Sequence, residues 1–168
     1  MSIPIYSASV PVYVQFLSAL AGVLKKAEAH CEAKKIDPSV LVTARLYPDM
    51  FALARQVQIA TDHAKGSVSR LAGVAIPSYA DDEASFADLQ ARIAKTLDYV
   101  QSFKPEQFEG ADDKDIVLDI HGNKFEFKGS AYLTNWALPN FFFHTTTAYA
   151  ILRHSGVEVG KRDFMTAK

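Results

Sequence analysis

Apolar side chains recur every three or four residues in separate stretches of the chain, and this spacing places them along one side of an α-helix. Such stripes run from Tyr13 to Cys31, from Pro48 to Leu71 and from Ser85 to Lys104. A fourth helical stretch follows Gly129-Ser130 and ends near Ser155. Four long helices joined by loops predict a mainly α protein, a four-helix bundle.

Two positions within these helices carry further expectations. Gly66 lies inside the second helix, where it costs about 1 kcal/mol relative to alanine, and this predicts the close approach of a neighbouring helix. Pro139 is expected in the first turn of the last main helix, where a missing N–H costs little. That helix is apolar on more than one side, so we expect it to be the most buried of the four.

Residues 116–128 break the helical rhythm. Ile116, Leu118 and Ile120 alternate with other side chains, and Phe125 and Phe127 alternate with charged ones. Period two on both sides of a glycine predicts a β-hairpin, with positive φ angles supplied by Gly122-Asn123. Two strands are not stable alone in water, so the hairpin is expected to lie against the helices.

Composition limits the partners of the chain. Its 168 residues predict a single domain, 1–168, and 18 basic against 19 acidic residues give a net charge of -1,. A chain without a basic surplus lacks the electrostatic footprint of nucleic-acid binding.

The expected location is the cytoplasm, with no membrane contact. Lys25, Lys26 and Glu28 interrupt the longest apolar stretch before it reaches the roughly 18 residues of a membrane span. Residues 1–12 lack the basic and apolar regions of a signal peptide. Cys31, the single cysteine, is expected in the core of a protein from a reducing compartment,.

The five histidines are sorted by their helical positions. At about 100° per residue, His144 lies in line with Phe141 and points into the bundle. His63 lies at the edge of the stripe of the second helix, which leaves two interpretations open: the mouth of the bundle or a solvated face. His30, His121 and His154 are expected to be structural or to face solvent.

A catalytic metal site needs three ligands, two of them commonly one helical turn apart. The chain offers Asn140 and His144 at that interval, but an amide is a poor ligand for zinc or nickel. With only His63 and His144 as imidazoles, a site would be under-ligated, so metal binding is possible but not favoured. Phosphate-binding glycine loops and a Gly-x-Ser-x-Gly elbow do not occur in the sequence,.

The last helical stretch contains more aromatic residues than one buried face can hold. The surplus rings have three possible roles: they cover the hairpin, line a ligand pocket or form a homodimer interface. The residues are Tyr132, Trp136, Phe141, Phe142, Phe143 and Tyr149.

The C-terminal part resembles the DinB/YfiT-like superfamily of four-helix bundles, many of which depend on a metal. The resemblance rests on Asn140-Phe-Phe-Phe-His144, Leu152-Arg153-His154-Ser155-Gly156 and Asp163-Phe164. It implies that His144 is a metal ligand and that Asn140 stands where the superfamily has a second histidine. His63 is a candidate third ligand by helical placement only.

The whole chain more closely resembles the family known as domain of unknown function 1993, which implies the bundle and the inserted hairpin but no established activity. The matching segments are Leu46-Tyr47-Pro48-Asp49-Met50-Phe51, Ala54-Arg55-Gln56-Val57-Gln58, Ala64-Lys65-Gly66, His121-Gly122-Asn123-Lys124-Phe125 and Gly129.

Three functions follow as hypotheses, and the sequence does not decide whether the protein is an enzyme. The first is a DinB-like protein with a degraded or absent metal site and a small-molecule pocket lined by Gln56, His63, Asn140 and His144. The second is a metal-dependent thiol transferase or hydrolase that uses His63 and His144. The third is a structural or regulatory module that acts through its aromatic surface as a homodimer.

Overall fold

The computed structural model describes residues 3–166. Seven helices are present within that range, and a two-stranded sheet lies between the fourth and the fifth. The helices are α1 (Ile5–Lys34), α2 (Pro38–Val42), α3 (Leu53–Ala72), α4 (Phe86–Gln101), α5 (Gly129–Tyr132), α6 (Leu138–His154) and α7 (Lys161–Met165). The strands are β1 (Asp115–Ile120) and β2 (Asn123–Lys128), a 3₁₀ turn spans Pro105–Phe108, and a π-helical turn, Leu133–Ala137, joins α5 to α6.

Four long helices enclose the core. Helix α3 packs against α4 and α6, and α1 packs against the same two helices from the other side. Their apolar stripes meet in one cluster that includes Tyr13, Leu53, Leu89 and Phe141. The predicted mainly α bundle with an inserted hairpin is confirmed.

Helix α1 is longer than its stripe predicts, because it begins at Ile5 rather than at Tyr13. Its first two turns contain Pro11 and two serines, which obscure the periodicity. An 18-residue window of α1 has a mean hydropathy of 1.5, enough by length and composition to cross a membrane. The expectation that no such stretch exists was therefore wrong, since the apolar part extends toward the N-terminus. Ten of the 30 residues are buried, as in the core helix of a bundle,.

Helix α3 begins at Leu53, five residues after the predicted start at Pro48. Residues 43–52 form a loop instead, in which the Arg45 guanidinium donates to the carbonyls of Pro48 and Met50 at 3.3 and 3.0 Å. This helix, not α6, is the most buried: 13 of its 20 residues are buried, against 7 of 17 in α6. The reason is its position between α4 and α6.

The hairpin has the predicted place but a different turn. The strands pair antiparallel, with Ile120 opposite Asn123. The positive φ angles belong to His121 (52°) and Gly122 (84°), one residue earlier than predicted. Since both central residues of a two-residue turn then have positive φ, the turn suits the right-handed twist of the strands. As expected, the hairpin lies against the helices, with the Phe125 and Phe127 rings 5.5 and 5.8 Å from the Trp136 ring.

The aromatic surplus is mostly absorbed within the chain. Trp136 lies beneath the hairpin, Phe142 packs on Phe16, and Tyr149 packs on Phe164. Phe143 is the exception, with 58% of its surface exposed. The C-terminal tail therefore packs on the helices through Phe164. Residues 167–168 of that tail lie outside the described part of the chain, as do residues 1–2 of the segment assessed for a signal peptide.

Candidate functional site

A hydrogen bond between α3 and α6 orients His144. Its Nδ1 lies 2.7 Å from Oε1 of Gln56, and the amide nitrogen of Gln56 donates to the Phe51 carbonyl at 3.1 Å. Since the amide nitrogen is used by Phe51, the oxygen faces the ring and must accept, so Nδ1 carries the proton. In this tautomer Nε2 keeps a free lone pair. Helix α6 buries His144 to 8% exposure, in agreement with the direction given by helical spacing.

The ring of His63 lies beside that of His144, with 5.9 Å between centroids and 15° between planes. Burial lowers the pKa of His63 to about 4, helped by His144 and by the charge of Arg70, while Asp62 opposes the shift. Burial also lowers the pKa of His144 to about 4, with a further contribution from Arg55. Both imidazoles are therefore neutral at pH 7, because a charged ring would lose its hydration there.

His63 faces a cavity of about 280 Å³ between α3, β1 and the helical run that follows the hairpin. One side is formed by residues 117–120 of β1, and the others carry polar and aromatic groups. The lining side chains outside β1 are His63, Arg70, Tyr132, Trp136 and Asn140. The amide nitrogen of Asn140 donates to the Trp136 carbonyl at 2.7 Å, which leaves the amide oxygen as an acceptor,.

The structure thus brings the four residues predicted from sequence together, but in two layers. His63 and Asn140 line the cavity, while Gln56 and His144 lie behind His63. The open question about His63 is answered by its position at the cavity rather than on a solvated face.

Arg70 is the cavity residue that sequence reasoning missed. Its Nη1 donates to the Tyr132 hydroxyl at 3.3 Å. A Cβ atom at Gly66 would lie 2.7 Å from that Nη1, so the glycine leaves space for the guanidinium. The expectation that Gly66 makes room for a neighbouring helix was therefore wrong. The sequence signal for this arrangement was a glycine four residues, or one helical turn, before an arginine. Burial raises the pKa of Tyr132, although the charge of Arg70 acts against it, and the hydroxyl stays protonated.

These donors do not fit a three-ligand metal site. Within residues 3–166, no group of three His, Cys, Asp or Glu side chains is placed to hold an ion. Nε2 of His144 keeps a lone pair, but Asn140 offers only a neutral oxygen as a third donor.

Comparison with known proteins gives the family. The sequence matches the domain of unknown function DUF1993 over residues 5–165. The chain belongs to the DUF1993 family. The crystal structure of a DinB family member from Shewanella denitrificans is similar to it, with 42% identity, a TM-score of 0.91 and coverage of 97% of this chain and 92% of the other. No curated protein matches the sequence.

Several of the segments that carry the DUF1993 resemblance meet at this site. The first supplies the Phe51 carbonyl that orients Gln56, and the second contains Gln56 itself. The third ends at Gly66, beside the Arg70 guanidinium, and the hairpin segment places Phe125 on Trp136. The predicted family and superfamily are confirmed, and four of the segments that carry the family resemblance meet at the site.

A second polar cluster, also missed from sequence, surrounds Arg92 of α4. Its side chain is 2% exposed and contacts Asp62, Asp81 and Glu83 at 2.8, 2.8 and 2.9 Å. The Tyr79 ring lies over Arg92, with the guanidinium carbon 5.0 Å from its centroid. The cluster joins the loop of residues 73–85 to α3 and α4.

These contacts also change the acidity of the loop. Burial would raise the pKa of Asp81, but hydrogen bonds from Arg55 and Arg92 outweigh it and hold that pKa below its usual range. Because its charges are mutually paired, the cluster is a structural clamp on the loop.

Proposed function

We propose that this DUF1993 protein binds a small organic molecule in the cavity between α3, β1 and the start of α6. The observation that carries the proposal is the convergence of Arg70, neutral His63, the Tyr132 hydroxyl and the Asn140 amide on one space. Ligand sites typically combine apolar walls with a few polar groups of this kind. Here the walls are Trp136 and Leu118.

Local packing supports the proposal. Trp136, a residue of the π-helical turn, packs against the Phe125 and Phe127 rings of the hairpin. The His144 ring, which is hydrogen-bonded to Gln56, lies beside His63. A site whose side chains are fixed before binding loses less entropy when a ligand arrives.

The chain contains a built-in probe, because Trp136 is its single tryptophan. Its indole N–H gives one resonance in an NMR spectrum, and this resonance is expected to shift in a saturable way with at least one of a set of small anionic, neutral and cationic aromatic fragments. The variant Asn140→Phe fills the cavity and should abolish the shift. Asn135→Phe, at an exposed position of the same helical run, is the matched control. If no fragment moves the resonance at millimolar concentration, the proposal is wrong.

A second candidate, the metal-dependent thiol transferase or hydrolase, is favoured by one observation: two neutral imidazoles lie side by side. Neutral histidine is the form that binds metals. Elemental analysis of protein purified without a His-tag tests it. Near-stoichiometric zinc, nickel or iron that disappears in His144→Ala would establish this second function, whereas metal-free protein with a stability indifferent to chelator would remove it.

We also propose a cytoplasmic location and a homodimer. The free, buried thiol of Cys31 supports the first, since a reducing compartment keeps thiols in that form,. The exposed ring of Phe143 supports the second, as a residue for a self-association surface,.

A further inference from the structure

We infer that the cavity selects a carboxylate with a small apolar body, and that Arg70 is the residue that anchors the carboxylate. The inference rests on the proposed function, because it names the chemical class of the ligand for the same cavity. It goes further in assigning the charge of the ligand and the residue that recognises it.

Arg70 differs from Arg55 and Arg92 in the partner of its charge. Arg55 and Arg92 each lie within ion-pair distance of a carboxylate, Asp81 in both cases. Within residues 3–166, Arg70 makes no ion pair, and its one side-chain hydrogen bond is to the neutral Tyr132 hydroxyl. A guanidinium has five N–H groups, so most of them remain available to a carboxylate, whose two oxygens match the guanidinium fork.

The Arg70 side chain is held at the cavity by its surroundings. The absent side chain of Gly66 gives the guanidinium its space, and the Tyr132 oxygen accepts from Nη1. Since that oxygen accepts, the Tyr132 hydroxyl hydrogen can be donated to a ligand in place of the neighbouring Ser67 hydroxyl. Two donors therefore lie together, and a buried anion is stabilised by such charge-assisted hydrogen bonds.

The groups around Arg70 complete the site. His63 is neutral, so it does not add charge and can donate or accept one hydrogen bond,. Asp119 belongs to the lining, but the alternating burial of β1 places it on the exposed face, and its Oδ1 accepts from the Gly122 N–H at 2.9 Å. Asp62 is paired with Lys65 and Arg92 instead. Trp136 and Leu118 leave an apolar wall for the body of the ligand.

Benzoate, benzamide and benzylamine test the inference, because they share a ring and differ in the charge of the head group. Titration of each, followed by the Trp136 indole resonance, gives three dissociation constants. Benzoate is expected to bind at least about tenfold more tightly than benzamide, as for a hydrogen bond to a charged group. Its affinity should also fall as salt is added.

The variant Arg70→Gln is expected to remove the preference for benzoate, whereas Arg153→Gln, at an exposed position in the last turn of α6, is expected to keep it. Should Arg70→Gln fail to fold, the comparison of benzoate with benzamide in the unmodified protein decides the question. Equal affinities would overturn the carboxylate class and leave the pocket in place. If none of the three compounds nor any other fragment shifts the resonance, the pocket falls as well.

Discussion

Gly66 and Arg70 lie one helical turn apart in α3, and each determines what the other can do. In Gly66→Ala the new methyl group would lie only 2.7 Å from Nη1, so the guanidinium must move away from Gly66 and its hydrogen bond to Tyr132 is lost. Alanine gains about 1 kcal/mol of helix propensity and the lost hydrogen bond costs about as much, so the free energy of unfolding should change by no more than about 1 kcal/mol. Benzoate affinity should nevertheless fall about tenfold.

Gly22→Ala is the matched control, since a Cβ there meets nothing within 4 Å. It should raise the free energy of unfolding by about 1 kcal/mol and leave benzoate binding unchanged. Urea denaturation and the Trp136 titration measure the two effects. Unchanged benzoate affinity in Gly66→Ala would contradict the assigned role of the guanidinium.

The two neutral histidines make stability depend on pH. Their pKa values of about 4 lie below the ordinary 6.5, so the unfolded chain takes up protons in a range where the folded protein does not. The stabilisation is complete above pH 6.5 and is lost as the pH falls toward 4. Between pH 6.5 and 5, the free energy of unfolding should fall by roughly 1.5 kcal/mol for each histidine.

Urea denaturation at several pH values gives this dependence. The variant His63→Gln should remove about half of the fall, while His154→Gln, which replaces an exposed histidine, should not alter it,. An identical pH dependence in His63→Gln and in the unmodified protein would show that His63 is already protonated in the folded state at pH 5.

Helical spacing was sufficient to predict His144, because a residue in line with Phe141 on one helix can point only into the bundle. It was not sufficient for Arg70 or Tyr132. The hydrogen bond between them joins residues that are 62 positions apart in the sequence. A pattern within one helix does not contain information about such a contact. The same limit applies to Gly66, whose partner was taken to be a helix.

At the scale of elements, the hairpin depends on the glycine at its base. A Cβ at Gly129 would lie 1.8 Å from the carbonyl oxygen of Ala111, a backbone atom that cannot turn aside. Gly129→Ala is therefore expected to lower the free energy of unfolding by about 3 kcal/mol, as overpacking does at rigid sites. Gly160→Ala meets nothing within 4 Å and should show no comparable loss in the same urea experiment.

Substitution of Arg92 should also lower the free energy of unfolding, because this residue is at the centre of the clamp. Arg92→Met leaves the carboxylates of Asp62, Asp81 and Glu83 without their shared cation, at a cost of roughly 3 kcal/mol,. The loop of residues 73–85 should then become sensitive to limited proteolysis. Arg153→Met, at an exposed position, should change neither property. Equal proteolysis of all three proteins would mean that the loop is held by other contacts.

The sequence predicted the existence of the four long helices and the hairpin, and the errors lie at their ends. Pro48 resembled a helix start, but Arg45 binds the carbonyls of the following loop and delays the helix to Leu53. Arg45 precedes the helix and is not part of its apolar stripe, so its contacts with the loop cannot be recognised from the spacing of apolar residues. The turn of the hairpin lies one residue earlier than predicted, since His121 and Gly122 adopt positive φ, and not Gly122 and Asn123.

At the scale of the whole molecule, the homodimer remains a prediction, and Phe143 is its most testable residue. Its ring is 58% exposed and packs edge-on against His144, with 5.1 Å between centroids. Sedimentation velocity should give twice the chain mass of 18.5 kDa for the unmodified protein and a single chain mass for Phe143→Ser. Val40→Ser, at another exposed apolar position, should remain a dimer. A monomer in every case would remove the prediction.

The π-helical turn Leu133–Ala137 contains one residue more than a regular α-helix would use for the same path,. Deleting the exposed Thr134 would let α5 and α6 fuse into one uninterrupted helix, and everything before the deletion would rotate by about 100° relative to α6,. Trp136 and Asn140, which follow the deletion, would then turn away from Arg70 and strand β1, which precede it, and the cavity would open into a groove. The enclosure of the site thus depends on the phase of a helix, a property set by the number of residues and not by their chemistry.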